Sequence, residues 1–158
     1  MNINFIAMGK IKESYFREAC AEYQKRLQAF ARVMVKEPEP QPLPQNPSAA
    51  QISSALEREA AEILSNVRSG FNIALCVEGK PLSSEGLAQR LEQLGNSGTS
   101  TVNFIVGSSF GLAESLKSQC GLRLSMSEMT FPHNLARVML FEQVYRAFSI
   151  LNNGKYHK

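Results

Sequence analysis

Short apolar segments alternate along this chain with longer segments whose apolar residues recur at helical spacing. The short segments predict β-strands over residues 2–8, 32–37, 71–77, 101–106 and 121–125. The longer segments predict helices over residues 13–30, 48–68, 83–94 and 134–148, with a further short helix that follows Gly111 and ends near residue 119. Strands and helices that alternate in this way predict an α/β fold in which helices cover both faces of a parallel sheet.

A proline-rich stretch is the main interruption of this pattern. Five prolines fall between residues 38 and 47. Each proline removes a backbone donor, so this stretch is neither a helix nor a central strand. Too little chain precedes it to form a separate core, so we expect a surface loop within a single domain that spans residues 1–158. Ser48 and Gln51 then form a capping-box pattern at the start of the next helix.

Three of the predicted strands end in loops that are candidates for a ligand site. These strands end at Val77, Val106 and Ser125. A turn is predicted at residues 78–81 and a glycine-containing loop at residues 107–111. In open parallel sheets, ligands bind beyond the carboxyl ends of the strands. The loops after these three strands are therefore the first places to look for function.

Composition and charge limit the class of protein. The 158 residues carry a net charge of +3, and 44% of them are hydrophobic, as in ordinary globular domains. No apolar run reaches the roughly 18 residues of a membrane span, and the first residues lack a signal-peptide pattern. We therefore expect a cytoplasmic protein without a membrane partner. The three cysteines and two histidines show no metal-ligand spacing, so no metal is expected.

Two of the candidate loops carry residues suited to a ligand. Residues 107–111 join a strand to a helix but match neither the dinucleotide fingerprint nor the P-loop, so a tight turn and a ligand loop both stay open. In the second loop, Met126, Met129 and Phe131 suit either a pocket for a flat ring or the core. His133 suits a helix cap, a phosphate contact or a base.

The last helix and the tail carry the remaining candidates. The apolar side of the helix is predicted to be Leu135, Val138, Met139, Tyr145 and Phe148. Arg137 and Arg146 are nine residues apart, so they lie on opposite sides of the helix. The chain closes with two cations and two rings, Lys155, Tyr156, His157 and Lys158. This combination suits RNA, although terminal residues are often without function.

Several motifs resemble those of a known family. Residues 129–138 are MTFPHNLARV, residues 141–150 are FEQVYRAFSI, and the last three residues are YHK. Together with AMGKIKE at residues 7–13 and LSSEGLA at residues 82–88, they closely resemble the bacterial ribosomal RNA large subunit methyltransferase H family. That family comprises pseudouridine N3-methyltransferases of the SPOUT superfamily. The resemblance covers essentially the whole chain.

The resemblance implies an α/β fold with a C-terminal trefoil knot, a homodimer, and S-adenosylmethionine bound in the knot. The family's contacts with this cofactor fall on the three candidate loops. They correspond here to Leu75, Gly107, Met126, Ser127, Glu128, Met129, Thr130 and Phe131. One departure is Ser108, where the family often has a second glycine. If that position needs a positive φ, serine strains the turn, and otherwise serine is harmless.

The implied reaction is methyl transfer to N3 of a pseudouridine in 23S ribosomal RNA. The substrate is either the large-subunit RNA or the assembled ribosome. It needs no metal, and much of its rate comes from alignment of the reacting atoms. Tyr156 and His157 are assigned to substrate positioning. The N3 proton is accepted by His157, Tyr156, His133 or water, and the sequence does not separate these. The candidates for RNA contacts are Arg137, Arg146, Lys155 and Lys158, and the dimer interface is the alternative for the two arginines.

Two other functions stay open at this point. The same fold and cofactor also suit another RNA, such as transfer RNA, and only a substrate assay separates the two. The second alternative is a catalytically inactive ribosome-binding or assembly protein. Ser108 favours it slightly, whereas the intact C-terminal motifs argue against it. Measurement of cofactor binding distinguishes this alternative from an enzyme.

Overall fold

The computed structural model describes residues 1–67 and 69–156, which form one five-stranded parallel sheet covered by helices. The strands are β1 (Asn2–Ala7), β2 (Arg32–Lys36), β3 (Phe71–Pro81), β4 (Thr101–Val106) and β5 (Leu122–Ser125). The helices are α1 (Ser14–Leu27), α2 (Ala49–Asn66), α3 (Ser84–Asn96), α4 (Glu114–Lys117) and α5 (His133–Leu151). The parallel α/β architecture predicted from the sequence is confirmed.

The sheet has the strand order β2-β1-β4-β3-β5 and is buried on both faces. On one face, Ile3 and Phe5 pack against α1, α3 and α5, and the Phe5 ring stacks on Phe141 of α5 with centroids 3.9 Å apart. On the other face, Ile6 and Ile105 pack against α2 and α4. Successive side chains of a strand point to opposite faces, and this alternation divides the core into two layers.

A row of asparagine side chains fixes the register of the three central strands. Asn4, Asn103 and Asn72 lie side by side on β1, β4 and β3. The Asn4 amide donates to Asn103 Oδ1 at 2.8 Å, and the Asn103 amide donates to Asn72 Oδ1 at 2.9 Å. Asn4 and Asn103 are buried. A slip by one residue would therefore remove the partners of buried amides and turn every side chain to the wrong face.

Helix α2 begins as the sequence predicts. Ser48 Oγ accepts the Gln51 amide at 3.2 Å, and Gln51 Oε1 accepts the Ser48 amide at 2.9 Å, which is the predicted capping box. The proline-rich segment before α2 is held to it by the Gln41 amide, which donates to Glu59 Oε1 at 2.9 Å. The helix ends at Asn66, and its predicted end at Arg68 lies outside the described residues.

Strand β3 is longer than the sequence predicts. The turn predicted at residues 78–81 is wrong, because β3 continues to Pro81 and pairs there with β5. The pairing shifts register between Leu75 and Lys80, so the segment between them is irregular. Gly79 permits this contact, since a Cβ at Gly79 would lie only 2.7 Å from the carbonyl carbon of Leu124. The two backbones approach more closely than a side chain would allow.

Helix α5 buries a different face from the predicted one. Of the five residues predicted to face the core, only Phe148 is buried. The other buried apolar residues of the helix are Leu140, Phe141, Val144 and Ala147. Helix α5 packs against both α1 and α3. Apolar residues therefore occur around much of its circumference, and their spacing alone does not select one side.

Replacing Asn103 by alanine tests the asparagine row. The change removes the partner of both Asn4 and Asn72, so the free energy of unfolding should fall by about 2–4 kcal/mol, as measured by urea denaturation. The control is Asn2→Ala, which removes a single 3.2 Å hydrogen bond to Thr101 Oγ1 near the start of the same strands. Equal losses for the two variants would contradict a special role for the row.

Candidate functional site

The carboxyl ends of β4 and β5 meet the irregular part of β3 at one edge of the sheet. Leu75 of β3 is the register partner of both Val106 of β4 and Leu124 of β5. A cavity of about 680 Å³, here called the first cavity, opens at this edge. Its volume lies in the range of about 300–1,000 Å³ that is typical of small-molecule sites. Residues from all three candidate loops line it together.

The loop after β4 turns tightly on itself. Gly111 has a φ of +86°, and its amide donates to the Ser108 carbonyl at 2.9 Å. Gly107 lies against this turn, because a Cβ at Gly107 would be 2.1 Å from the Gly111 carbonyl oxygen. Any side chain at position 107 would displace the turn. Both glycines line the first cavity, so this loop is a wall of the cavity.

Ser108 is unstrained and has a partner in the interior. Its φ is not positive, so serine costs no strain at this position. Its hydroxyl donates to Glu59 Oε2 at 2.8 Å. Glu59 is buried in α2, and its other oxygen accepts the Gln41 amide at 2.9 Å. Serine thus supplies one partner of a buried carboxylate and ties the glycine loop to α2 and the proline-rich segment.

The segment after β5 is shaped by its own serines. Ser125 Oγ donates to the Ser127 carbonyl at 3.0 Å, and Ser127 Oγ accepts the Met129 amide at 3.0 Å. These contacts bend the chain along the first cavity. Met129 is 71% exposed at the cavity, so it does not fill the core. Of the two roles considered for this methionine, a place in a pocket wall agrees with the structure.

Seven of the eight residues predicted to contact the cofactor line the first cavity. They are Leu75, Gly107, Met126, Ser127, Met129, Thr130 and Phe131. Glu128 is not among the lining residues and is exposed. Glu78 and Lys117 were not predicted as site residues, yet they also line the cavity and form an ion pair across 39 residues of chain.

A second cavity of about 690 Å³ adjoins the first at Met126, which lines both. Tyr156, Arg146 and Glu142 are part of its lining. Tyr156 Oη donates to Glu142 Oε1 at 3.1 Å, and Arg146 Nε donates to the same oxygen at 2.9 Å. The Arg146 guanidinium lies 4.6 Å from the centre of the Tyr156 ring. These three side chains form one connected group.

The environment of Tyr156 keeps its hydroxyl protonated. Burial raises the pKa of Tyr156 above its ordinary value, and hydrogen bonding with Tyr23 and Glu142 raises it further. A phenol with a raised pKa stays neutral at physiological pH, so Tyr156 is a hydrogen-bond donor there. It is not a base that would accept a proton from a substrate.

One of the predicted RNA-binding residues lies in the interior. Arg137 is 3% exposed, donates Nη1 to the Gly9 carbonyl at 2.9 Å and pairs with Glu37. This interior position contradicts the RNA contact predicted for Arg137, which instead fastens α5 to the chain after β1 and β2. Arg146 lines the second cavity, and Lys155 is exposed. His157 and Lys158 lie outside the described residues.

Residues 1–67 and 69–156 show no sign of metal or thiol chemistry. They contain no group of three or more His, Cys, Asp or Glu side chains that could hold a metal ion. None of their helices has the length and apolar character needed to cross a membrane. Cys76 lines the first cavity, but burial raises the pKa of its thiol. It is therefore not an activated nucleophile at neutral pH.

Comparisons with known proteins give consistent results. A family model described as predicted SPOUT methyltransferase matches residues 1–157. A protein from Pelotomaculum thermopropionicum named ribosomal RNA large subunit methyltransferase H is 45% identical over 157 residues, which are 99% of this chain and 98% of that protein. A protein from Methanococcus maripaludis named putative ribosomal RNA large subunit methyltransferase H is 42% identical over 159 residues, with 100% of both chains covered.

A solved structure shares the fold. It is the structure of a probable methylase family protein from Haemophilus influenzae, and it aligns with a TM-score of 0.56. The alignment covers 99% of this chain and 70% of that chain, at 14% sequence identity. At this identity the likeness is one of fold.

Replacing Gly107 by valine tests the first cavity as the site of the implied cofactor. The side chain should displace the turn at residues 107–111 and raise the Kd for S-adenosylhomocysteine by about 100-fold or more, as measured by calorimetry. Gly86→Ala is the control, since its added Cβ would meet only ordinary contacts in the first turn of α3. Normal affinity in Gly107→Val would place the ligand elsewhere.

Proposed function

Because the chain belongs to the SPOUT methyltransferase family, we propose that it transfers a methyl group from S-adenosylmethionine to N3 of a pseudouridine in 23S ribosomal RNA. The family and the methyltransferase class predicted from the sequence are confirmed by this membership, which also implies the trefoil knot. The name of the relatives supports ribosomal RNA of the large subunit as the substrate. The choice of N3 of pseudouridine rests on the motifs of residues 129–138 and 141–150. We also propose that the chain acts as a single domain.

The first cavity is the observation that carries this proposal. Seven of the eight residues expected to contact the methyl donor line it. Its walls fit the group, since Leu75, Val106 and Leu112 offer an apolar surface to an adenine ring. Gly107 is also part of the lining, and its close contact with Gly111 leaves no room for a side chain at this position. S-adenosylmethionine bound there would supply an electrophilic methyl group on a sulfonium, with a neutral thioether as the leaving group.

The second cavity is placed to receive the target nucleotide. Methyl transfer needs the nucleophile in line with the methyl group, at about 3–3.5 Å before reaction. Since Met126 lines both cavities, a base held in the second lies next to a donor held in the first. Tyr156 and Arg146 both line the second cavity, and aromatic rings and arginines are the groups that proteins use to hold unstacked bases and phosphates.

The N3 proton must leave during the reaction. Tyr156 is unsuited to accept it, because its pKa is raised and its own proton is donated to Glu142. We therefore assign Tyr156 to substrate positioning, with His157 beside it in the sequence. His133 lines the first cavity and remains a candidate acceptor, together with His157 and water.

The partners of the chain follow from the same proposal. Arg146, Lys155 and Lys158 are assigned to RNA contacts, in the large-subunit RNA or the assembled ribosome. Because this substrate is in the cytoplasm, we propose that the protein acts there.

A homodimer is supported by three exposed apolar side chains around the first cavity. They are Val77, Phe110 and Met129, which are 52%, 46% and 71% exposed. Apolar side chains clustered at a site suit cover by a second copy of the chain.

The catalytically inactive alternative loses the observation that favoured it. Ser108 adopts no positive φ, and its hydroxyl has a hydrogen-bond partner in Glu59. The glycine loop is therefore compatible with a bound donor. Transfer RNA as the substrate would use the same cavities, so a substrate assay decides between the two RNAs.

Methyl transfer from labelled S-adenosylmethionine to ribosomes tests the proposed function. We expect incorporation into large-subunit RNA, recovered as N3-methylpseudouridine, and no incorporation into ribosomes that lack pseudouridine. Transfer RNA is the parallel substrate. Incorporation into transfer RNA alone would contradict the ribosomal substrate. If neither RNA is methylated and the protein also fails to bind the donor, the catalytically inactive alternative would be favoured.

Replacing Tyr156 by phenylalanine tests the positioning role. Loss of its hydrogen bond to Glu142 should lower kcat by about 3–10-fold and leave donor affinity unchanged. The raised pKa keeps the phenol neutral, so the pH profile below pH 9 should keep its shape in the variant. Tyr15→Phe is the control, since Tyr15 is 64% exposed on α1. Loss of a limb of the pH profile in Tyr156→Phe would show that Tyr156 titrates during catalysis.

A further inference from the structure

An ion pair forms part of the wall of the first cavity. Lys117 at the end of α4 and Glu78 of β3 both line the cavity and bind each other. Lys117 also pairs with Glu114 Oε2 at 3.1 Å, and Arg123 pairs with Glu114 Oε1 at 2.6 Å. The four side chains carry two positive and two negative charges, so the group is neutral as a whole.

Lys117 and Glu78 differ in how exposed they are and in how many ion partners they have. The Lys117 side chain is 14% exposed, whereas that of Glu78 is 54% exposed. The hydrogen bond with Glu78 raises the pKa of Lys117, and the same bond lowers the pKa of Glu78. Both groups are therefore charged at neutral pH. Lys117 is fixed by two carboxylates, while the more exposed Glu78 has room to turn.

We propose that this pair binds the amino-acid end of the methyl donor, with Lys117 holding its carboxylate and Glu78 its α-ammonium. The assignment rests on the proposed function, because it places the donor in the first cavity. The amino-acid end carries one negative and one positive group on the same carbon. Lys117 and Glu78 present the opposite charges side by side, which matches that arrangement.

The rest of the first cavity suits the other end of the donor. Among the lining residues that the structure describes, Glu78 holds the only carboxylate and Lys117 the only ammonium. Leu75, Val106 and Leu112 leave an apolar wall for the adenosine part. When Glu78 turns to the ligand, Glu114 still pairs with Lys117. Binding therefore exchanges one set of ion pairs for another and leaves no charge without a partner.

Two ligands that differ only at the amino-acid end test the assignment. S-adenosylhomocysteine carries the carboxylate and the ammonium, whereas 5′-methylthioadenosine keeps the adenosine and thioether and lacks both. In Lys117→Met, calorimetry should show a Kd about tenfold higher or more for S-adenosylhomocysteine and a change below about twofold for 5′-methylthioadenosine. Glu78→Gln should show the same selective loss. Lys25→Met, an exposed lysine on α1, should bind both ligands as the wild type does.

The possible results separate the assignment from the function on which it rests. Retained binding of 5′-methylthioadenosine shows that the variant is folded and its cavity intact. An equal loss for both ligands would give Lys117 a role in shaping the cavity and overturn the assignment, as would unchanged affinity for S-adenosylhomocysteine. If the wild-type protein bound neither ligand, the proposed function would fail and the assignment with it.

Discussion

The alignment of three parallel strands is the constraint on which the candidate site depends. The side-chain amides of Asn4, Asn103 and Asn72 bind one another across the sheet and set this alignment. With that register, Leu75 lies beside Val106, and the ends of β4 and β5 open into one cavity with residues 75–78 of β3. Buried polar groups tolerate few alternative pairings, so a polar row inside an apolar sheet specifies position as well as contributing stability.

Close backbone contacts then shape the cavity that the register creates. Gly79 lets β3 run against β5, and Gly107 lets the loop after β4 fold onto Gly111. The backbone of these segments is therefore placed by glycine and by side chains that bind elsewhere in the fold. Ser108 illustrates this, because its hydroxyl is turned to buried Glu59 while its backbone stays in the loop.

Strand bounds and side-chain positions that depend on local pattern are predicted from the sequence. Those that depend on contacts between residues far apart in the chain are not. The bounds of β4 agree with the prediction, since a buried strand between polar and glycine residues is a local signal. The end of β3 was missed because residues 78–81 have the composition of a turn, and their contact with β5 is non-local. Arg137 was expected at the surface, but Gly9 and Glu37, 128 and 100 residues away, hold it inside. The cavity loops were found by the strand-end rule and the family motifs, whereas the pairing of Lys117 with Glu78 needed the fold.

The proposed function requires that the methyl donor bind in the first cavity. Hydrogen exchange with and without S-adenosylhomocysteine, followed by mass spectrometry of peptides, tests it most directly because it reports on the backbone of each loop. We expect slower exchange in peptides that cover residues 107–112 and 126–131, and no change in peptides that cover residues 14–27 of α1. Protection that is absent from both cavity loops, or that is confined to another part of the chain, would contradict it.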